Sequence, residues 1–193
     1  SLMFLVAFVS GWYLTKAIFK HEGLSMEKLD KILIYTVIGT LLGARLGHVI
    51  FYQPELFSQD FLSVFLPFQF VPTFKFTGFA GLASHGATIG IAIAMYFYSK
   101  KILQKNIFWI FDRIVVPVSF GAVFVRIGNF LNSEIIGKPT NSDYGVVFKK
   151  LGEDFARHPS QLYESGCYLL LFALLYYLYW KTDISKKVGM LFG

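Results

Sequence analysis

The chain has 193 residues, of which 55% are hydrophobic, 19% aromatic and 16% charged. Because a soluble domain carries about 25% charged residues, this composition excludes an ordinary soluble protein and indicates a membrane protein. The net charge of +6 comes from lysines that lie between apolar runs, a pattern typical of orienting charge beside anionic lipid, so no nucleic-acid partner is predicted. The single cysteine, Cys167, excludes an internal disulfide and a cysteine metal cluster.

Two apolar helices are predicted in the first quarter of the chain. The first covers residues 1–19. The second covers residues 31–52, which is long enough to cross about 30 Å of hydrocarbon at ~1.5 Å per residue. This second helix contains Gly43 and Gly47, a pair of small residues four positions apart that suits the close approach of another helix.

The segment of residues 53–77 is aromatic and contains prolines but few charges. Aromatic rings interrupted by prolines fit the membrane–water interface, so we predict an interfacial arm there. A third span is predicted over residues 78–98, with His85 and Gly86 near its start. Gly86 is predicted to leave room for the close approach of a substrate.

The second half of the chain predicts two further spans and the start of another. The fourth runs from about Ile107 into a polar stretch at residues 125–137, and the fifth covers residues 159–179. Between them, residues 138–156 form a polar loop of mixed charge. The final residues, 188–193, indicate the opening of a sixth span, and we expect both ends of the chain to be truncated.

The predicted fold is therefore an all-α polytopic membrane protein, with residues 1–193 forming a single transmembrane domain. Its orientation follows from the lysines, since cytoplasmic loops carry an excess of positive charge. The connection after the second span holds only Lys75, and the basic residues of the connection after the fourth are offset by acids. We predict that the other connections are cytoplasmic and that the chain begins outside. Their lysines are Lys16, Lys20, Lys28, Lys31, Lys100, Lys101, Lys105, Lys181, Lys186 and Lys187.

The polar stretch at residues 125–137 brings an arginine, two amides, a hydroxyl and a carboxylate directly after a long apolar run. If the helix continues through it, four residues share one face, because their spacings realign near the 3.6-residue period. They are Arg126, Asn129, Ser133 and Gly137. Polar side chains cost free energy when they face lipid, so in a membrane such a face usually borders a protein interior or a wet cavity. The alternative is a helix end at the interface, where an arginine snorkels and amides cap the last carbonyls.

The predicted orientation places the ionisable residues of four helices at the same outer level of the membrane. His85 lies about seven residues into its span, roughly 10 Å below the outer surface, and Arg126 lies roughly 28 Å along the fourth span. This convergence favours a functional site over a chance snorkelling residue. The residues concerned are Arg45, His48, His85, Arg126, Glu134, Arg157 and Glu164.

The chemistry of this cluster suits a phosphate. Guanidinium groups are permanently charged and fork onto phosphate oxygens, so arginines near the outer headgroup level predict a phospholipid ligand. His85 is the best-placed group to take a proton near neutral pH; the other interpretation is a packing histidine bonded to a backbone carbonyl. The sequence has no motif of a serine hydrolase, a zinc protease or a nucleotide-binding loop, and no metal or cofactor is indicated.

Three blocks of the sequence resemble the prolipoprotein diacylglyceryl transferase family, and the resemblance covers the whole chain in order. The blocks are SHG at residues 84–86, RIGNFLNSE at residues 126–134 with Gly137, and RHPSQLYE at residues 157–164. In addition, GARLGH at residues 43–48 is similar to the family's second-helix motif. The resemblance implies a bacterial inner-membrane enzyme of about seven spans, with five and the start of a sixth in this chain. Its active site, and the loop of residues 138–156, would face the periplasm.

The resemblance also implies a reaction. The family moves the diacylglyceryl group of phosphatidylglycerol onto the lipobox cysteine thiol of a preprolipoprotein, which forms a thioether and releases glycerol phosphate. The implied partners are phosphatidylglycerol, the signal peptide with its lipobox cysteine, and membrane lipid. No cofactor is implied.

The site residues follow by matching positions to the family's motifs. His85 is implied as the base or proton relay, and Arg126 as the group that holds the phosphate and stabilises its developing charge. Gly137 matches a glycine where a side chain would crowd the lipid. The implied catalytic residues are His85, Arg126, Asn129 and Glu134. The residues implied to bind phosphatidylglycerol are Arg126, Asn129, Gly137, Arg45, Arg157 and Glu164.

The chain departs from the family pattern at Ala87 and Val125, where glycines are common, and the tyrosine and arginine of the family's last span would fall beyond Gly193. Two other functions remain open. One is a lipid-binding or lipid-transporting protein that uses the cluster without turnover. The other is a scaffold subunit in which the polar residues only join helices. Transporters tend to show internal repeats and midplane sites, and this sequence shows neither.

Overall fold

The computed structural model describes residues 2–66, 68–76 and 81–193. The described helices are α1 (Leu2–His21), α2 (Met26–Tyr52), α3 (Leu56–Gln59), α4 (Phe61–Phe65), α5 (Ser84–Tyr98), a π-helical turn (Ser99–Leu103), α6 (Ile107–Asn132) and α7 (Ser160–Lys181). The short strands are β1 (Phe68–Gln69), β2 (Lys75–Phe76), β3 (Val146–Val147) and β4 (Ala156–Arg157), and 3-10 turns cover Lys149–Leu151 and Ile184–Lys186. The chain divides into a first unit, Ser1–Leu24 with Phe108–Gly193, and a second unit, Ser25–Ile107.

Among the described residues, four helices are long and apolar enough to cross a membrane: α1, α2, α6 and α7. They correspond to the first, second, fourth and fifth predicted spans, so the protein is a mostly helical, polytopic membrane protein. The third predicted span falls partly on residues 78–80, which lie outside the described residues. Its described part, α5, has 15 residues and continues directly into the five-residue π-helical turn. Together the two rise about 30 Å.

The predicted start of a sixth span is not helical in the part of the chain that the structure describes. The segment after residue 187 instead forms turns around the carboxylate of Asp112, which is fully buried in α6. That carboxylate accepts hydrogen bonds from the backbone N–H groups of Gly189 (2.6 Å), Leu191 (3.0 Å) and Phe192 (2.9 Å). Three N–H donors satisfy a charge that would otherwise be costly to bury.

A partly buried ion pair links α6 and α7 to Glu22, the residue that follows α1, at one end of the first unit. Arg113, only 5% exposed, donates from Nε to Glu22 Oε1 at 2.9 Å, and the Tyr179 hydroxyl donates to the same oxygen at 2.8 Å. Towards their other ends, α6 and α7 are linked by the Ser165 hydroxyl, which donates to the Val123 carbonyl at 3.2 Å. These contacts fix α6 and α7 as antiparallel neighbours, so the end of α6 lies beside the start of α7.

In the second unit, α2 and α5 pack backbone against backbone. A Cβ added at Gly43 would meet the Gly86 carbonyl oxygen and lie 2.7 Å from Gly90 Cα, and one added at Gly47 would lie 2.7 Å from Gly86 Cα. The predicted close approach of a helix at Gly43 and Gly47 is confirmed, and the partner is α5. A Cβ added at Gly86 would meet the backbone of α2, so helix packing already requires this glycine. Room for a substrate beside Gly86 stays a prediction.

The segment predicted as an interfacial arm contains α3, α4 and the β1–β2 hairpin, with residues 67 and 77 outside the described part. Asp60 holds the hairpin against the short helices, because its Oδ2 accepts the N–H groups of Phe70 (2.7 Å) and Val71 (3.0 Å). Phe68 stacks on Phe74 with ring centroids 5.5 Å apart. The arm is therefore an ordered substructure; its place at the interface stays a prediction.

Candidate active site

The polar stretch at residues 125–137 begins in α6, which ends at Asn132. The N–H of Ser133 donates to the Phe130 carbonyl (3.0 Å), and the N–H of Glu134 donates to the Asn129 carbonyl (2.8 Å). These are the two hydrogen bonds of a Schellman motif, with Ser133 in the left-handed conformation (φ 59°) that usually selects glycine.

The predicted continuous helical face is therefore wrong for Ser133 and Gly137, which lie beyond the end of α6. The structure has the helix end of the alternative, but the amides of Asn129 and Asn132 donate to the Glu134 carboxylate and do not cap the last carbonyls. The place of this helix end at the interface stays a prediction. Arg126 and Asn129 remain on the last turns of α6, three residues apart and hence on one side of it.

The chain turns back at the end of α6 and brings Glu134 against the helix that it has just left. Asn129 Nδ2 donates to Glu134 Oε2 at 2.9 Å, and Asn132 Nδ2 donates to Glu134 Oε1 at 3.4 Å. The predicted amide and acid of the site are thus in direct contact. The carboxylate accepts from both amides, so its orientation is fixed relative to α6.

Arg126 projects from α6 towards the start of α7. Its Nε lies 2.8 Å from Glu164 Oε2, and the two side chains are 24% and 41% exposed. Within the first unit, among the described residues, its Nη1 and Nη2 groups have no hydrogen-bond partner. The acid therefore orients the guanidinium by one edge and leaves the other donors for an anionic ligand.

In the loop that precedes α7, strands β3 and β4 pair to form a hairpin of residues 146–157, here called the clip, and Arg157 closes it. Arg157 Nε and Nη2 each donate to Glu153 at 2.6 Å, and Nη1 donates to the Gly137 carbonyl at 3.3 Å. Those hydrogen bonds hold the pKa of Glu153 below its ordinary value and raise the pKa of Arg157. Arg157 is thus committed to protein contacts with every nitrogen of its guanidinium.

Gly137 contacts the end of this clip. Its N–H donates to the His158 carbonyl at 3.2 Å, and a Cβ added there would meet that carbonyl oxygen and lie 2.9 Å from His158 Cβ. The resemblance implied that a side chain at this position would crowd the lipid. In the structure, a side chain there would instead meet the backbone of His158. Lipid binding at Gly137 stays a prediction.

The clip gives a prediction for acid pH. Because the pKa of Glu153 is lowered on folding, its ion pair stabilises the clip above the ordinary glutamate pKa of about 4.3 and is lost as pH falls through the lower folded-state value. Hydrogen exchange of residues 146–157, corrected for intrinsic rates, should rise as pH falls below about 4. In Glu153→Gln, which lacks the ion pair, exchange corrected in the same way should be fast at every pH. Corrected exchange of wild-type residues 146–157 that is as fast at pH 6 as below about pH 4 would contradict this role of the Glu153–Arg157 pair.

Arg45 and His85 belong to the second unit. Arg45 holds the arm, because its Nε and Nη2 donate to the carbonyls of Val64 (3.2 Å) and Ser63 (2.6 Å) in the last turn of α4. His85 is exposed on the first turn of α5, beside the buried Gly86. The predicted common level of these two residues with Arg126 stays a prediction, as does their contact with lipid.

These arrangements identify a candidate anion site at the end of α6, where an oriented arginine lies on the same side of the helix as an acid–amide pair. The sequence profile described as prolipoprotein diacylglyceryl transferase matches residues 1–193. The chain belongs to the prolipoprotein diacylglyceryl transferase family.

Curated relatives in the diacylglyceryl transferase family share about the same identity with this chain. The phosphatidylglycerol–prolipoprotein diacylglyceryl transferase of Porphyromonas gingivalis is 38% identical over 194 residues, covering 96% of this chain and 65% of that protein. The proteins of the same name from Chloroherpeton thalassium and Tolumonas auensis are each 38% identical, covering 100% and 99% of this chain and 68% and 69% of their own lengths. The chain thus spans about two thirds of the length of these transferases.

Sequence reasoning missed three residues that support the candidate site of this family member. Glu153 pairs with Arg157, while Ser160 and Gln161 donate to the carbonyls of residues 135 and 134. Ser160 and Gln161 lie inside the RHPSQLYE block, so a signal was present. The block did not show that they bind the backbone beyond α6.

Proposed function

We propose that the protein transfers the diacylglyceryl group of phosphatidylglycerol to the lipobox cysteine of a bacterial preprolipoprotein. The observation that carries the proposal is Arg126, whose guanidinium is oriented by Glu164 at 2.8 Å and keeps its Nη donors for a ligand. Family membership and the names of the relatives supply the reaction. The guanidinium supplies the phosphate recognition that this reaction requires.

In the proposed step the cysteine sulfur attacks the glycerol carbon that carries the phosphoester oxygen. A C–S bond forms, the C–O bond breaks, and glycerol phosphate leaves as an anion. Charge develops on the leaving oxygen, and Arg126 stabilises it through forked N–H donors. Glu164 keeps the guanidinium in one orientation, so little reorganisation is needed when the charge develops.

The attacking thiol must first lose its proton, because a thiol of pKa about 8.5 is a poor nucleophile. His85 is proposed as the base or proton relay, since its exposed imidazole can accept a proton from a thiol brought beside it. Asn129 and Glu134 are proposed to position the headgroup, which suits a carboxylate already fixed by two amides. Arg45, Arg157 and Gly137 are proposed to support phosphatidylglycerol binding from the positions that the protein contacts described above give them.

The proposed setting is the bacterial inner membrane, with about seven spans in the whole protein and the site facing the periplasm. The positive charge of the predicted cytoplasmic connections supports this orientation. The arm is proposed to lie at the interface. In support, it carries exposed apolar side chains that suit the headgroup region. They include Phe57, Phe61, Leu62, Phe65, Val71, Phe74 and Phe76.

The test uses the protein expressed from its complete reading frame, in proteoliposomes with phosphatidylglycerol and a lipobox peptide. Mass spectrometry of the peptide should show a diacylglyceryl increment on its cysteine. A peptide with serine in place of that cysteine, and vesicles of phosphatidylcholine alone, should give none. No increment, with phosphatidylglycerol still bound specifically, would replace the proposal by a lipid-binding function.

A further inference from the structure

Gln161 is wholly buried in the first turn of α7, and the proposed mechanism does not use it. Its Nε2 donates a hydrogen bond to the backbone carbonyl of Glu134 at 2.6 Å. The hydroxyl of the preceding residue, Ser160, donates to the carbonyl of Ile135 at 3.1 Å. Two successive side chains of α7 therefore hold two successive carbonyls of the turn that follows α6.

The turn that they hold has an unfavourable backbone. Ser133 and Ile135 have φ angles of 59° and 52°, in the left-handed region that a β-branched residue rarely adopts. Such conformations persist only where the surroundings over-determine them, and they concentrate at functional sites. Glu134 lies between these two residues, with its carboxylate on the Asn129 amide. The position of that carboxylate therefore depends on the bonds that hold the turn.

We infer that Gln161 is a positioning residue for the transfer reaction, which fixes the turn at residues 133–135 and through it the carboxylate of Glu134. This inference rests on the proposed function, because Glu134 is one of the proposed catalytic groups. Gln161 acts through Glu134 and not on the substrate. Ser160 supports the same turn from the adjacent position.

The chemistry of the amide distinguishes positioning from packing. Gln161 Oε1 is buried without a hydrogen-bond partner among the described residues, and an unsatisfied buried acceptor destabilises a fold. A methionine of similar shape has no such acceptor and fills irregular space well. If Gln161 only filled space, methionine would therefore serve equally well at this position. What the glutamine adds is the Nε2 donor that reaches Glu134.

The test compares Gln161→Met with Ser165→Ala in the full-length protein. Ser165 is a matched control, because its buried hydroxyl also donates from α7 to a carbonyl of α6, that of Val123, away from the turn. Gln161→Met is expected to lower kcat by roughly 10- to 100-fold, since a small misplacement of a reacting group has effects of that size. KM for phosphatidylglycerol should change less than threefold, and thermal stability should match that of Ser165→Ala. Ser165→Ala should keep near wild-type kcat.

Two further measurements separate the roles. Because Gln161 acts through Glu134, adding Gln161→Met to Glu134→Gln should lower kcat no further than Glu134→Gln alone. Independently of activity, hydrogen exchange of the peptide containing residues 133–135 should be faster in Gln161→Met and unchanged in Ser165→Ala.

The inference is overturned by Gln161→Met activity within about twofold of wild type, by additive losses in the double variant, or by unchanged exchange at residues 133–135. A wild-type protein that transfers no diacylglyceryl group would instead overturn the proposed function. In that case the exchange measurement still decides whether Gln161 fixes the turn.

Discussion

Replacement of Arg126 by alanine is expected to lower kcat for transfer by about 10²- to 10³-fold, the usual effect of removing one donor that stabilises charge in a transition state. The physical reason is the charge that develops on the phosphoester oxygen as the C–O bond breaks. Arg126→Lys should be nearly as damaging, because an ammonium group cannot fork onto two phosphate oxygens. The measurement is the initial rate of diacylglyceryl increment on the lipobox peptide, at saturating phosphatidylglycerol.

Loss of stability cannot account for that result. The Arg126–Glu164 pair is partly exposed, at 24% and 41%, and exposed ion pairs contribute only about 0–1 kcal/mol. The thermal unfolding midpoint of Arg126→Ala should therefore stay close to that of wild type. Lys150→Ala is the charge control, because Lys150 also lies at the end of α6, where its Nζ donates to the Leu131 carbonyl. If Arg126→Ala and Lys150→Ala had equal transfer rates, Arg126 would have no specific role in the mechanism.

Glu164→Gln should give a smaller loss than Arg126→Ala, because it removes the group that orients Arg126 and leaves the guanidinium in place. Since the closest contact of the pair is made through Nε, the Nη donors can still reach a phosphate after this change. The expected loss of roughly tenfold in kcat/KM reflects a less fixed arginine. The same peptide assay measures it, and a loss as large as that of Arg126→Ala would show that Glu164 itself contacts substrate.

The first, second, fourth and fifth spans were predictable from the sequence because long apolar runs bounded by lysines determine them directly. The end of α6 was not, because it depends on a Schellman motif with Ser133 at the left-handed position. Glycine usually marks that position, and the glycine available in the stretch, Gly137, lies four residues further on. A helical period drawn through residues 126–137 therefore continued past the real end of the helix.

Glycines showed where space is needed but not what fills it. At Gly86 and at Gly137 the sequence suggested room for a substrate, and at both an added Cβ would meet a backbone carbonyl oxygen, so packing already requires each glycine. Arg157 shows a related limit, because its pairing with Glu153 depends on how the preceding loop folds. Residue types alone predict the chemistry of a site, whereas the partner of each residue is decided by contacts between distant segments.

Gly43→Ala is expected to destabilise the second unit strongly, because α2 and α5 leave no room between them for an added methyl group. The new Cβ would meet the Gly86 carbonyl oxygen, Gly90 Cα at 2.7 Å and Gly90 N at 3.0 Å. All of these are backbone atoms of α5, which cannot rotate away as a side chain would, so α2 and α5 must separate. Overpacking of this kind costs about 1–3 kcal/mol, which corresponds to a fall in Tm of about 3–10 °C.

Gly166→Ala is the matched control for Gly43→Ala, since Gly166 also lies inside a long helix but a Cβ there would meet nothing within 4 Å. Alanine is the better helix former by about 0.5–1 kcal/mol, so Tm should hold or rise slightly in that variant. Activity should fall in Gly43→Ala alone, because the displaced α5 carries His85 on its first turn. Equal Tm values for the two variants would mean that α2 and α5 are not in backbone contact, and the position of His85 would then need another explanation.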